Sequence, residues 1–91
     1  MNSLRIAAAV VSAPVGAKAE NLARVTHWTK MAAEKGCRLI CFPEMNITGY
    51  CNKKEMAGFA ETIPGPASDR LLKLAEASGV TVLAGMAEKD A

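Results

Sequence analysis

Residues 37–44, with the sequence CRLICFPE, decide the fold of this chain. Successive side chains of a β-strand point to opposite faces, and here Cys, Leu and Cys share one face while Arg, Ile and Phe share the other. This pattern predicts a strand over residues 37–42. Proline has no N–H to donate to a sheet, so Pro43 ends the strand. Glu44 follows directly, so the rigid strand and proline before it fix the position of its backbone.

Two further apolar stretches, residues 4–12 and 80–87, are predicted to be strands. The first is apolar on successive residues, which is typical of a strand buried on both faces in a parallel sheet. Between the strands, apolar residues recur at helical spacing over residues 17–35 and 67–78. The order strand-helix-strand-helix-strand makes right-handed crossovers and predicts an α/β fold with a parallel sheet.

Each predicted helix has an apolar stripe and a glycine stop, Gly36 after the first and Gly79 after the second. Residues 45–54 show no periodicity and are predicted to be a loop, and residues 54–61 one or two helical turns. The two stripes expected to face the core consist of Leu22, Val25, Thr29 and Ala32 in the first helix, and Leu71, Leu72, Ala75 and Ser78 in the second.

Composition excludes several classes of protein. The net charge is only +2, and basic residues are spread along the chain, which argues against a nucleic-acid-binding or membrane-surface protein. Hydrophobic residues make up 51 %, so the chain is not disordered. Three cysteines and one histidine predict reduced thiols in the cytoplasm, without a metal site. Residues 46–48 match a glycosylation sequon, which has no meaning in a cytoplasmic protein.

Ligands of open parallel sheets bind beyond the carboxyl ends of the strands. Residues 12–16, 43–50 and 88–90 lie at those ends, and only the middle segment carries unusual chemistry. Glu44, held next to apolar neighbours, is a candidate general base. The alternative is a solvated surface glutamate or a cap for the amides of the loop. Tyr50 either lines the mouth of a pocket or packs locally.

Phe42-Pro43-Glu44, followed by Thr48-Gly49-Tyr50, resembles the first catalytic segment of the carbon-nitrogen hydrolase (nitrilase) superfamily. Residues 36–40, 63–66 and 82–88 resemble further segments of that family in the same order. The resemblance covers nearly the whole chain, and the ordered set is more specific than any single motif. It implies the strand-helix-strand-helix-strand portion of an α-β-β-α sandwich.

The resemblance also implies a Glu-Lys-Cys site that hydrolyses amide, carbamoyl or nitrile C–N bonds of small molecules without a cofactor. Glu44 falls on the family's glutamate, the general base, and Tyr50 falls in a loop that borders the substrate pocket. The lysine and cysteine segments of the family follow its third strand and have no match in residues 1–91. We therefore expect a partial domain, the N-terminal third, that is inactive alone and acts with a complementary fragment or as a homo-oligomer.

Two other classes of protein remain open. Two helices cover one face of a three-stranded sheet well, or both faces poorly, and the uncovered apolar face of roughly 300 Å² fits a small non-catalytic module that binds a partner. A flavodoxin-like or response-regulator-like domain is disfavoured, because the strand ends carry neither an acidic cluster nor a phosphate loop.

Overall fold

The computed structural model describes residues 4–49, 54 and 57–89. Three parallel strands form one sheet in the order β1-β2-β3, and a helix connects each strand to the next. The predicted α/β fold and its element order are confirmed. The elements are β1 (Ile6–Ala8), α1 (Lys18–Glu34), β2 (Leu39–Cys41), α2 (Pro66–Ser78) and β3 (Thr81–Leu83).

The strands are shorter than predicted, with three residues each. Single hydrogen bonds extend the pairing a little further, since the Ala9 N–H donates to the Cys41 carbonyl and the Phe42 N–H donates to the Leu83 carbonyl, both at 2.9 Å. Beyond these bonds the backbone turns into loops. The apolar residues predicted to extend the strands therefore lie in those loops.

Both helices pack on the same face of the sheet, where α1 contacts β2 and α2, and α2 contacts β3. The register aligns Ala7, Ile40 and Val82 in one row on this covered face, and Ile40 is only 2 % exposed. On the opposite face Ile6 is 63 % and Leu83 is 49 % exposed. The burial on both faces that the first strand's sequence predicts is therefore not found, because neither helix crosses to the second face.

The predicted stripe of α1 is confirmed, since all four of its residues are buried. The predicted stripe of α2 is wrong at Leu72, which is 60 % exposed, while Leu74 packs against the core instead. The helix begins at Pro66 and docks through the fully buried Ala67. The face that continues from Ala67 at helical spacing passes through Leu71 and Leu74.

The helical turns predicted over residues 54–61 lie partly outside the described residues. Residues 57–59 form a turn, and Glu61 pairs with Glu88 in an isolated parallel bridge. In the parts of the chain that the structure describes, neither helix combines the length and apolar character needed to cross a bilayer.

Candidate functional site

Three chain segments meet beyond the carboxyl ends of the strands, namely residues 13–16, 44–49 and 85–89. The Gly16 N–H donates to the Thr48 carbonyl at 2.9 Å. The Ile47 N–H donates to the Gly85 carbonyl, also at 2.9 Å. The folded chain thus brings together segments that follow three different strands.

Glu44 opens a run of turns over residues 44–48, directly after β2 and Pro43, and it is exposed to solvent. The next residue, Met45, has a φ of 58°, a backbone conformation that residues other than glycine rarely adopt. Such a conformation persists where the surrounding structure holds it in place. The backbone that presents Glu44 is therefore held in a defined shape even though the side chain faces water.

Two buried polar side chains anchor this run of turns to the segment after β3. The Asn46 Oδ1 accepts the Gly85 N–H at 3.0 Å, and the Thr48 Oγ1 accepts the Ala87 N–H at 3.2 Å. Asn46 is 2 % exposed and Thr48 is fully buried. Because a buried polar atom without a partner costs about 1–3 kcal/mol, these two bonds stabilise the buried Asn46 Oδ1 and Thr48 Oγ1.

A third buried side chain, Asn21 of α1, ties the same turns to the segment after β1. Its Nδ2 donates to the Ile47 carbonyl at 2.9 Å and to the Pro14 carbonyl at 3.0 Å. Its Oδ1 accepts a hydrogen bond from Arg24 Nη1 at 2.9 Å. Asn21 thus has both ends of its amide satisfied while it is 1 % exposed.

Gly49 is required where the turns pass the segment after β1. Its φ is +81°, and a Cβ built there would lie 2.6 Å from Val15 Cα and 2.8 Å from the Ala13 carbonyl oxygen. Both neighbours are backbone atoms, which cannot rotate away as the end of a side chain can. Only glycine allows this close approach.

Among the described residues, Glu61 is the one whose pKa is clearly shifted from its ordinary value. Burial acts to raise the pKa of Glu61, but the hydrogen bond from Lys18, the N–H of Ala67 and the charge of Lys18 together lower it below its ordinary value. The Lys18 Nζ lies 2.9 Å from Glu61 Oε2, and the Ala67 N–H donates to Oε1 at 2.8 Å. This carboxylate joins the starts of the two helices.

The sequence singles out Glu44 but not the residues that hold its loop. In the sequence, Asn46 appears only in a glycosylation sequon, and Thr48 appears in that sequon and in the Thr48-Gly49-Tyr50 segment, yet both are buried and face the protein interior. The signal available in the sequence is two polar residues flanking Ile47 directly after a strand. Tyr50, the other predicted site residue, lies outside the described residues.

A groove of about 290 Å³ runs along β1 beside α1, and Val11, Trp28 and Met31 are among the residues that line it. Glu44 is not part of its wall. Among the residues that the structure describes, no group of three or more His, Cys, Asp or Glu side chains is arranged to hold a metal ion.

Comparison with known proteins identifies the family. The carbon-nitrogen hydrolase model matches residues 6–91, which includes every strand and helix described above. The chain therefore belongs to the carbon-nitrogen hydrolase family, as its resemblance to the nitrilase superfamily predicts.

Curated relatives carry several activities. The chain is 35 % identical to the omega-amidase NIT2 of Xenopus tropicalis over 68 residues, 75 % of this chain and 24 % of that protein. It is 34 % identical to a nitrilase of Pyrococcus abyssi over 74 residues, 78 % of this chain and 28 % of the relative. It is 38 % identical to a cyanide hydratase of Penicillium rubens over 45 residues, half of this chain and 13 % of the relative. The chain thus spans about a quarter of the length of the first two.

Proposed function

We propose that this chain contributes the glutamate of a Glu-Lys-Cys hydrolase that acts on the non-peptide C–N bonds of small molecules. Glu44 is the general base. The observation that carries the proposal is the placement of Glu44 directly after β2, at the carboxyl edge of a parallel sheet, in a chain that matches the carbon-nitrogen hydrolase family over residues 6–91.

In the proposed reaction Glu44 accepts the proton of a cysteine thiol as its sulfur attacks the substrate carbonyl carbon. Ammonia leaves, taking a proton, and a thioester forms. Glu44 then accepts a proton from water, whose oxygen attacks the thioester and releases a carboxylic acid and the thiol. A lysine stabilises the oxyanion in both steps. The cysteine and the lysine are supplied by polypeptide other than these 91 residues.

We propose an amide rather than a nitrile as the substrate class. The Thr48-Gly49-Tyr50 segment and the similarity to an omega-amidase support this choice, with Tyr50 at the border of the substrate pocket. The similarity to a nitrilase and to a cyanide hydratase makes nitriles the competing class. Hydrolysis rates on matched pairs of a simple amide and its nitrile decide between the two.

We propose that residues 1–91 form the N-terminal third of the catalytic domain, in a cytoplasmic protein. Two observations support it. Glu44 is exposed, whereas a general base acts best where a closed site excludes water. The second face of the sheet is also open, which leaves room for a further layer from a complementary fragment or another copy.

The experiment compares the product of the entire reading frame that contains these residues with the 91-residue chain. General base catalysis contributes roughly 100-fold or more, so Glu44→Gln in the full product is expected to lower kcat for amide hydrolysis by at least about that factor. Glu76→Gln, on the exposed side of α2, is the matched control and leaves kcat unchanged. Ammonia release that survives Glu44→Gln contradicts the role of Glu44.

The 91-residue chain alone is expected to release no ammonia from simple amides, because it lacks the matched lysine and cysteine segments. Turnover by this chain, abolished by Glu44→Gln, would show that the site is complete within it and would contradict this part of the proposal.

A second candidate function is a small non-catalytic module that binds a partner through the open face of the sheet. The exposure of Ile6 and Leu83 on that face favours it. Capture of a distinct partner by the 91-residue chain, together with no hydrolysis by the product of the whole reading frame, distinguishes this candidate from the hydrolase.

A further inference from the structure

We infer that the segment Gly85–Ala87 is the element that positions Glu44, through two side-chain hydrogen bonds and one close backbone contact. The inference deepens the proposed function and rests on it in so far as Glu44 acts as the base. It assigns a positioning role to Gly85, Asn46 and Thr48, none of which touches a reacting atom.

The first observation is a three-bond connection between the two segments. Asn46 and Thr48 accept the N–H groups of Gly85 and Ala87, and the Ile47 N–H donates to the Gly85 carbonyl. The three bonds come from consecutive residues, 46–48, and reach only Gly85 and Ala87, so a shift of one segment past the other strains all three. Because the acceptor side chains are almost fully buried, water cannot replace them.

The second observation is the direct approach of Gly85 to the peptide that follows Glu44. A Cβ built on Gly85 would lie 2.8 Å from the Met45 nitrogen, 3.5 Å from Met45 Cα and 3.7 Å from the Glu44 carbonyl carbon. The obstacle is backbone, not the end of a flexible side chain. An alanine at this position therefore has to push the Glu44–Met45 peptide away.

The third observation is that the segment is itself held from its other side. The Glu61 N–H donates to the Ala87 carbonyl at 3.1 Å, and the Lys89 N–H donates to the Glu61 carbonyl at 2.8 Å. The segment after β3 thus lies between the turns that carry Glu44 on one side and Glu61, which pairs with Glu88 in the isolated bridge, on the other. It supplies a fixed support against which the peptide of Glu44 rests.

The consequence concerns catalysis rather than folding alone. A displacement of a reacting group by about 1 Å costs on the order of 100-fold in rate. We therefore expect Gly85→Ala and Thr48→Val to lower kcat for amide hydrolysis by roughly 10- to 100-fold, with KM changed by less than about twofold. Thr48→Ser keeps the acceptor oxygen and is expected to restore kcat.

Two matched controls separate positioning from general loss of stability. Gly79→Ala places a Cβ at a glycine with a φ of +69° but with no atom within 4 Å, so it strains the chain without displacing the turns. Thr26→Val removes a hydroxyl that donates to the Leu22 carbonyl inside α1. Both are expected to leave kcat within about twofold of the unsubstituted protein once compared at equal folded fraction.

A second measurement follows amide hydrogen exchange in the 91-residue chain and does not depend on activity. Thr48→Val, which keeps the side-chain shape, is expected to speed exchange at Ile47 and Ala87 by roughly tenfold relative to Thr26→Val, and Gly85→Ala to do the same at Ile47 relative to Gly79→Ala. Unchanged exchange in both variants overturns the inference.

The two measurements distinguish failure of the positioning inference from failure of the proposed hydrolase function. Faster exchange with an unchanged kcat in an active enzyme shows a purely structural contact and also overturns the inference. A full product that hydrolyses no amide or nitrile contradicts the proposed function, and the exchange measurement then decides alone whether Gly85–Ala87 holds the Glu44 peptide.

Discussion

Buried polar residues decide the local geometry of this protein. Asn21, Asn46 and Thr48 each form a hydrogen bond with a backbone group of another segment, and each is at most 2 % exposed. Thr29 of α1 differs, because its hydroxyl oxygen is buried without a hydrogen-bond partner among the described residues. The first three side chains hold loops together, whereas the hydroxyl of Thr29 only adds a desolvation cost.

Thr29→Val is expected to raise the free energy of unfolding by about 1 kcal/mol, because it removes the unpaired hydroxyl and keeps the branched shape. Urea denaturation of the two proteins measures the change. Thr26→Val is the matched control in the same helix and is expected to give no gain, since the Thr26 hydroxyl donates to the Leu22 carbonyl at 2.9 Å. A loss of stability in Thr29→Val would contradict the interpretation.

At the scale of elements, Glu61 joins the starts of both helices. The residue before α2 is Gly65, which has no side chain to cap the helix. Glu61 Oε1 accepts the Ala67 N–H in its place, and Ser68 Oγ accepts the Gly65 N–H at 2.8 Å. The other carboxylate oxygen binds Lys18 in the first turn of α1. One ionised side chain therefore stabilises the N-terminal ends of two elements.

Glu61→Gln is expected to lower the free energy of unfolding at neutral pH by about 1 kcal/mol. The pKa of Glu61 is lower in the folded chain than its ordinary value of 4.5, so its contribution is present above that pH and is lost as the pH falls through the folded value. The difference between the two proteins should therefore shrink below pH 4.5.

Denaturation curves measured between neutral and acid pH test this expectation. Glu76→Gln, in the exposed part of α2, serves as control and should follow the unsubstituted protein at every pH. A difference for Glu61→Gln that stays constant with pH, or grows on acidification, would mean that ionisation of Glu61 does not stabilise the helix ends.

The whole molecule exposes more surface than a compact monomer of its size. Its accessible surface is 6037 Å², whereas a folded monomer of 9.6 kDa exposes about 5,100 Å². The accessible surface is therefore larger than this average relation gives. The open face of the sheet, with Ile6 and Leu83 exposed at its outer strands, accounts for part of the difference.

We expect the 91-residue chain to self-associate through this face. Sedimentation velocity should show a concentration-dependent mass, and the double substitution of Ile6→Thr and Leu83→Thr should shift the population toward monomer. Leu72→Thr is the matched control, because Leu72 is 60 % exposed but lies on α2, away from the sheet face. A monomer with a sharp, concentration-independent thermal transition would count against this prediction.

The sequence predicts which segment carries the candidate site, but it does not predict which residues of other segments that segment contacts. Pro43 marks the end of a strand, so the position of Glu44 at the sheet edge follows from local chemistry. The partners of Asn46 and Thr48 lie 39 residues further along the chain, and no local pattern specifies them. The role of Gly85 is hidden for the same reason, since its neighbour in space is Met45.

By itself, the sequence determined the type and order of the strands and helices, the ends of the helices, the place of Glu44 in the chain after β2, and the family. Hydrophobic periodicity and the backbone limits of proline and glycine act over a few residues, so they can be recognised locally. Only the tertiary structure decided that both helices cover one face, that Leu74 rather than Leu72 faces the core, and which amides the buried polar side chains bind. These outcomes depend on packing between segments that are distant in the chain. Which side chains are buried and which amides they bind is decided when those segments come together, so no single residue or local pattern specifies it.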